Sequence, residues 1–156
     1  MHSHLSILKP MSTHELCRMR DTAVVRASDD FYPRNPASSH PHIASCVFNS
    51  LYIGAIAQPD WDMFHSKHPA AQMHATARAV SGGAVYVSDY PGQHNFDILR
   101  KLVLPDGSTL RALMPGRPSR DTIFKDVLRD NVSLCKVGSI RNLSRLILAL
   151  PSVASH

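Results

Sequence analysis

Thr22-Ala-Val-Val-Arg-Ala-Ser-Asp-Asp-Phe-Tyr-Pro33 is the stretch on which the reading of the fold turns. Ala23, Val24 and Val25 form a continuous apolar run of the kind that suits a parallel strand buried on both faces. The run ends on Arg26 and two adjacent carboxylates, Asp29 and Asp30. Two later stretches follow the same plan. Gln58-Pro-Asp-Trp-Asp-Met-Phe64 carries Asp60 and Asp62, and Gly83-Ala-Val-Tyr-Val-Ser-Asp89 closes on Asp89. Acids at the ends of successive short strands, each followed by a helical stretch, mark one face of a repeated βα unit.

The intervening residues support that plan. Pro33, Pro36 and Pro41 hold the stretch after the first strand in loop form. His42 to Ala57 then reads as a helix, with Ile43, Val47, Leu51 and Gly54 along one side and Phe48 and Ile56 nearby. Pro59 interrupts the pattern, and Trp61 to Phe64 reads as a short strand or the end of one. Pro69 suits a first helical turn, Ala70 to Val80 is Ala-rich, and Ser81-Gly82-Gly83 supplies the glycine stop. Ala84 to Val87 is the third expected strand, and Phe96 to Val103 carries a helical stripe at Phe96, Leu99 and Val103. Leu102 to Leu110 resembles a hairpin around Asp106-Gly107. Ile140, Leu143, Leu146, Ile147 and Leu150 have helical spacing and predict a C-terminal helix. Alternation of this kind argues for parallel βα units.

The fold class expected is therefore α/β. It is a partial (β/α)8 TIM barrel of about three βα units, with a β-hairpin and loop extension and a C-terminal helix. In such barrels the loops at the strand ends hold the chemistry. A complete barrel needs about 250 residues, more than the 156 here. Three segments are expected: an irregular lead-in over 1–21, the partial catalytic barrel over 22–136, and a divergent helical tail over 137–156.

Composition narrows the function. Cys17, Cys46 and Cys135 fit no paired framework or metal spacing and read as reduced thiols, which predicts a cytoplasmic chain. No apolar run approaches the ~20 residues of a membrane span. The first ten residues lack the pattern of a secretory signal. Glu15 and Asp21 weigh against a plastid address, which stays open as the alternative compartment. The net charge is +5, with 10 Lys/Arg against 4 Asp/Glu after residue 97. Those cations are scattered, with Phe124 the single aromatic among them, so a solvated face fits better than nucleic-acid binding.

The residues Arg26-Ala-Ser-Asp-Asp-Phe-Tyr-Pro33 and Gln58-Pro-Asp-Trp-Asp-Met-Phe-His-Ser66 carry a family resemblance. So do His68-Pro-Ala-Ala71, Tyr86-Val-Ser-Asp89, Leu102-Val-Leu-Pro-Asp-Gly-Ser108 and Pro115-Gly-Arg-Pro-Ser-Arg-Asp121. Over roughly residues 22–136 the chain resembles the plant raffinose synthase and seed-imbibition (alkaline α-galactosidase) proteins of glycoside hydrolase family 36. The Ser-Asp-Asp-Phe-Tyr-Pro form is closer to the seed-imbibition branch.

The resemblance implies a (β/α)8 barrel and retaining chemistry on galactinol, sucrose or other α-galactosides, with no cofactor. Two carboxyl groups about 5–5.5 Å apart do this work, one as nucleophile and one as acid/base. By position the family's acid/base is Asp30, four residues after Arg26, and Arg26 would bind sugar hydroxyls. Trp61 and Asp62 resemble the sugar-contacting tip of the next strand. Asp29 fits a structural cap and a sugar contact equally well. Asp89 reads better as a cap on the following helix.

The family's nucleophile lies in a Lys-x-Asp motif, and none of Lys9, Lys67, Lys101, Lys125 and Lys136 is followed two places on by Asp. The 156 residues by themselves are therefore expected to show no meaningful turnover. They read as the product of a mis-cut gene model, a pseudogene or an alternative transcript. A non-catalytic piece that binds sugar weakly, or self-associates through exposed barrel edges, is the competing reading. His2-x-His4, His40-x-His42 and His65-x-x-His68 sit in separate loops without cysteine partners, so no metal is expected. Cys46 reads as a small buried hydrophobe. Ser28 and Ser88 lack the glycine-framed elbow of a hydrolase nucleophile.

Overall fold

The architecture is described from a computed structural model in which residues 23–130, 132–141 and 144–150 are placed, without side-chain description for 140–150. The first strand, β1, is Val24–Arg26. A 3₁₀ turn at Pro36–Ser38 leads into helix α1, Ser39–Ile56. Strand β2, Gln58–Asp60, lies parallel to β1, with Arg26 opposite Asp60. Helix α2 spans Ala71–Ser81, and the short α3, Phe96–Leu99, continues as a 3₁₀ turn to Leu102. Strands β3 (Arg117–Pro118), β4 (Cys135–Arg141) and β5 (Ser144–Leu150) form an antiparallel sheet in that order. Among the described residues the architecture is a mixed assembly of helices and two small sheets, neither of them closed.

The helices follow the local signals. Along α1 the buried residues Ile43, Cys46, Val47, Ser50 and Gly54 recur every three to four positions, one stripe facing the core. The helix stops at Ile56 because Ala57 is already extended and Gln58, preceding Pro59, is pushed the same way. Pro59, expected to interrupt the helical pattern, follows the end of α1 and sits inside β2. The ladder bonds from β2 come from its neighbours: Gln58 N–H donates to Ala23 O at 2.8 Å, and Asp60 O accepts from Ala27 N at 2.8 Å. The missing donor of Pro59 therefore falls on the side away from β1. The second strand thus lies three residues earlier than Trp61. The third survives as one parallel bridge, Phe64 to Val87. The hairpin around Asp106-Gly107 likewise reduces to one antiparallel bridge, Val103 to Thr109.

Two cores hold these pieces. Ile43, Cys46, Val47, Trp61, Ala77, Val80 and Val137 join α1, the turn after β2, α2 and β4 in the larger one. Phe31, Phe64, Ala75, Ala79 and Leu102 form the smaller. Among the described residues no helix is long and apolar enough to cross a membrane.

One expectation about the tail is corrected. Residues 140–141 and 144–150 are not helical: β4 and β5 make a seven-pair antiparallel ladder from Cys135–Leu150 to Arg141–Ser144. A spacing that suits a helix face also serves a strand once a partner strand satisfies the backbone, and β-branched Val137, Ile140 and Ile147 favour that outcome. The extension therefore ends in a pair of strands where a helix was expected. The lead-in expected over residues 1–21 lies outside the described residues, together with Cys17 and the His2-x-His4 pair.

The end of α2 is held by a close backbone approach. Gly82 has φ +77°, and a Cβ there would lie 2.4 Å from Met114 O. Gly92 has φ +73° with nothing within 4 Å. Gly82→Ala is expected to destabilise the chain by about 2–4 kcal/mol, against about 1 kcal/mol for Gly92→Ala. Urea midpoints of the two variants measure the difference. Equal losses would mean that the contact with Met114 yields without cost.

Candidate active site at the strand ends

The polar face begins where β1 ends. Arg26 Nη2 donates to Asp30 Oδ1 at 2.9 Å and also engages Asp62 Oδ2. The spacing of four residues between Arg26 and Asp30 is one tight turn out of the strand, so the pair forms locally. Asp30 is 72 % exposed and stands open to any molecule at this face. Asp29 turns back on its own loop: Oδ1 accepts from Asp30 N at 2.8 Å and Oδ2 from the Tyr32 hydroxyl at 3.0 Å. Those two bonds hold its carboxyl below the usual carboxylate range. It caps a loop rather than a helix.

Asp62 is the brace of the site. Its backbone takes φ +64°, in the left-handed region, and its side chain is 2 % exposed. Oδ2 accepts from Phe31 N at 2.7 Å besides engaging Arg26, and Oδ1 accepts from Met63 N at 2.8 Å. A carboxylate so enclosed neither reaches a reacting carbon nor offers a sugar an oxygen. In this chain the Asp62 carboxylate supports Arg26. Trp61 is turned inward as well. Its side chain is fully buried in the larger core, and its indole N–H donates to Ser50 Oγ at 3.0 Å. The left-handed turn at Asp62 lets consecutive residues both point inward, which strand alternation does not anticipate.

Asp60 and Tyr86 extend the face. The Tyr86 hydroxyl donates to Asp60 Oδ2 at 2.8 Å, and Asp60 Oδ1 accepts from Asp62 N at 3.0 Å. Burial and then the Asp60 carboxylate push the Tyr86 phenol up. Sequence reasoning passed over Tyr86. Its signal was alternation, since Val85 and Val87 flank it and period 2 sends it to the opposite side. Asp89 is not a helix cap: it accepts from Ser66 N at 2.7 Å, from Ser66 Oγ at 2.6 Å, and bonds His94 Nδ1 at 3.1 Å. Asn95 caps α3 instead, accepting from Asp97 N. Asp89 thus ties the Phe64–Ser66 turn to the loop before α3.

Beneath the face lies a buried cation that sequence reasoning also missed. Arg78 of α2 is wholly buried among His42, His74 and the Asp62–Met63 turn. A lone charge in the stretch Ala70–Val80 was the available hint. Cys46 is buried as expected, and burial raises its thiol to about 11. Among the described residues no group of three His, Cys, Asp or Glu side chains converges as cation ligands.

What the face can do follows from this geometry. Asp30 is an open carboxyl, steered by a guanidinium whose own position is set by a buried acid. Such a group exchanges a proton with a bound molecule, and the guanidinium fork donates to hydroxyls.

The chain matches the family model described as raffinose synthase or seed imbibition protein Sip1 over residues 6–149. It is a member of that family. The match is wider than the motifs read at residues 22–136, and most of the tail expected to diverge falls within it. A probable galactinol–sucrose galactosyltransferase 6 of Arabidopsis thaliana is 58% identical over 136 residues, 87% of this chain and 18% of that protein. A galactinol–sucrose galactosyltransferase of Oryza sativa subsp. japonica is 44% identical over 133 residues, 80% of this chain and 17% of that protein. A stachyose synthase of Pisum sativum is 38% identical over 130 residues, 78% of this chain and 15% of that protein. The chain spans less than a fifth of the length of these curated relatives.

Proposed function

We propose that this chain carries the acid/base side of a galactosyl-transferring site, within part of a (β/α)8 barrel. The observation that supports it most is the exposed Asp30 carboxylate, held 2.9 Å from Arg26 at the end of a parallel strand. In this reading Asp30 protonates the leaving oxygen as the bond to the galactosyl anomeric carbon breaks. It then takes the proton from the acceptor hydroxyl, which is a sucrose hydroxyl for transfer or water for hydrolysis. Arg26 and Asp29 bind sugar hydroxyls, and Asp62 keeps Arg26 in place. The nucleophilic carboxylate comes from a part of the barrel outside these 156 residues, so the chain alone turns over no substrate. The donor proposed is galactinol, as the names of the relatives indicate. The compartment proposed is the cytoplasm, in keeping with the free thiols of Cys46 and Cys135.

Galactinol is expected to raise the melting temperature of the purified chain while releasing no galactose. Arg26→Lys keeps the charge beside Asp62 but loses the planar fork, and should weaken galactinol binding about tenfold. Release of galactose that Asp30→Asn abolishes would overturn the inactive part of the reading. A flat melting response with concentration-dependent sedimentation would favour association instead. The exposed Val24 and Val25 on the β1 edge are the observation behind that second reading.

A further inference from the structure

Arg78 spends its donors in an ordered way. Nε donates to Asp62 O at 3.1 Å, and Nη2 to Met63 O at 3.1 Å. Nη1 meets His74 Nδ1 at 2.7 Å, and Nη2 meets His42 Nε2 at 3.2 Å. The guanidinium carbon also lies 5.7 Å from the centre of the Phe64 ring. A guanidinium only donates, so His74 Nδ1 facing it is a lone-pair acceptor and that ring is neutral. His42 Nε2 stands between Arg78 and the Trp61 carbonyl, 3.3 Å away, and its Nδ1 lies 3.5 Å from Ser28 Oγ. His74 carries its proton on Nε2, a buried atom with no partner among the described residues. His74 is thus committed to orienting this arginine.

That arginine grips the two successive carbonyls, Asp62 O and Met63 O, that follow the left-handed φ of Asp62. The left-handed backbone at Asp62 costs about 1–2 kcal/mol for a residue with a side chain, so something must hold it. The carboxylate of that same residue engages Arg26, and Arg26 steers Asp30. We propose that Arg78 is a positioning residue for the acid/base. It fixes the Asp62–Met63 turn, through it the Asp62 carboxylate, and through that the Arg26 fork that aligns Asp30. The route runs through Asp62 alone, since Arg78 touches neither Arg26 nor Asp30 in the contacts seen here. The catalytic part of this inference rests on the proposed function, whereas the mechanical part does not.

The test uses the full 156-residue chain with ¹⁵N-labelled arginine. Side-chain N–H signals of Arg26 are assigned by their loss in Arg26→Lys, and their ion-paired position is calibrated with Asp62→Asn. Arg78→Lys reaches fewer acceptors, so in a chain of unchanged far-UV circular dichroism the Arg26 signals should move toward those of Asp62→Asn. Galactinol binding should weaken about tenfold in parallel. Arg26 signals that stay in place in folded Arg78→Lys overturn the inference. Should that variant not fold, His74→Leu removes one acceptor of Arg78 and leaves both carbonyls, and a partial shift is then required. An unmoved Arg26 spectrum in that variant would equally overturn it. If the wild-type chain binds no galactinol, the proposed function fails while the Arg26 signals still decide the role of Arg78.

Discussion

Lowering the pH from 7 to 4.5 is expected to destabilise the folded chain by about 3 kcal/mol through His74 alone. His74 is wholly buried. Burial, and then the charge of Arg78 with His42, His68 and His40 behind it, lowers its pKa to about 2. An unfolded histidine titrates near 6.5. The unfolded chain therefore takes up a proton below pH 6.5 that the folded chain refuses. Stability is intact above that pH and falls by about 1.4 kcal/mol for each unit below it. His42 is lowered in the same direction by burial and Arg78, and it steepens the loss.

The carboxylates act in a different window. Asp29, Asp121 and Asp130 are held low by hydrogen bonds from Asp30 N–H, Lys136 and Ser133 respectively. What they contribute is present above the ordinary carboxylate range near 4 and is lost only as pH falls through the folded values. Urea midpoints measured from pH 7.5 to 4.5 separate the two groups. A steep decline between 6.5 and 4.5, flattened in His74→Gln, is the expected pattern. A level profile over that interval would mean that His74 accepts its proton in the folded chain.

The second large effect is at Trp61. Trp61→Ala should cost about 3–5 kcal/mol, because a fully buried indole leaves a cavity that its neighbours only partly fill. Ile43, Val47, Ala77, Val80 and Val137 share that core. Gly116 marks how tight the fit is, since a Cβ on it would lie 3.3 Å from the indole ring. For a chain of this size the melting temperature should drop on the order of 10–15 °C. Trp61→Phe keeps most of the volume and loses the bond to Ser50, a change of about 1–2 kcal/mol. Ser50 retains its bond to Cys46 O at 2.7 Å. The folded phenylalanine variant should respond to galactinol as the parent does. A selective loss of that response would restore Trp61 as a sugar platform.

Trp61 also shows where sequence reading stops. An aromatic between two acids at a strand end has the composition of a sugar platform, and composition is what a sequence displays. The positive φ at Asp62 reverses the side to which the chain points, and no local pattern announces it. Arg78 was hidden for a related reason. An arginine on an Ala-rich helix ordinarily lies on the solvent side, and the approach of the Asp62–Met63 turn supplies the carbonyls that, with His74 of the same helix, allow its burial. The tail is a third case. The spacing from Ile140 to Leu150 suits a helix and a strand, and the choice fell to the seven-pair ladder with β4.

What the sequence determined by itself is everything written in short-range terms. The helices at 39–56 and 71–81 follow from apolar spacing, and the end of the second from a glycine free to take φ +77°. The Arg26–Asp30 pair follows from a four-residue turn out of a strand. The family follows from motifs that survive in order along the chain. The tertiary structure alone decided which polar groups are buried and which strand finds a partner. Those outcomes depend on contacts between residues distant in sequence, where desolvation and backbone pairing outweigh local preference.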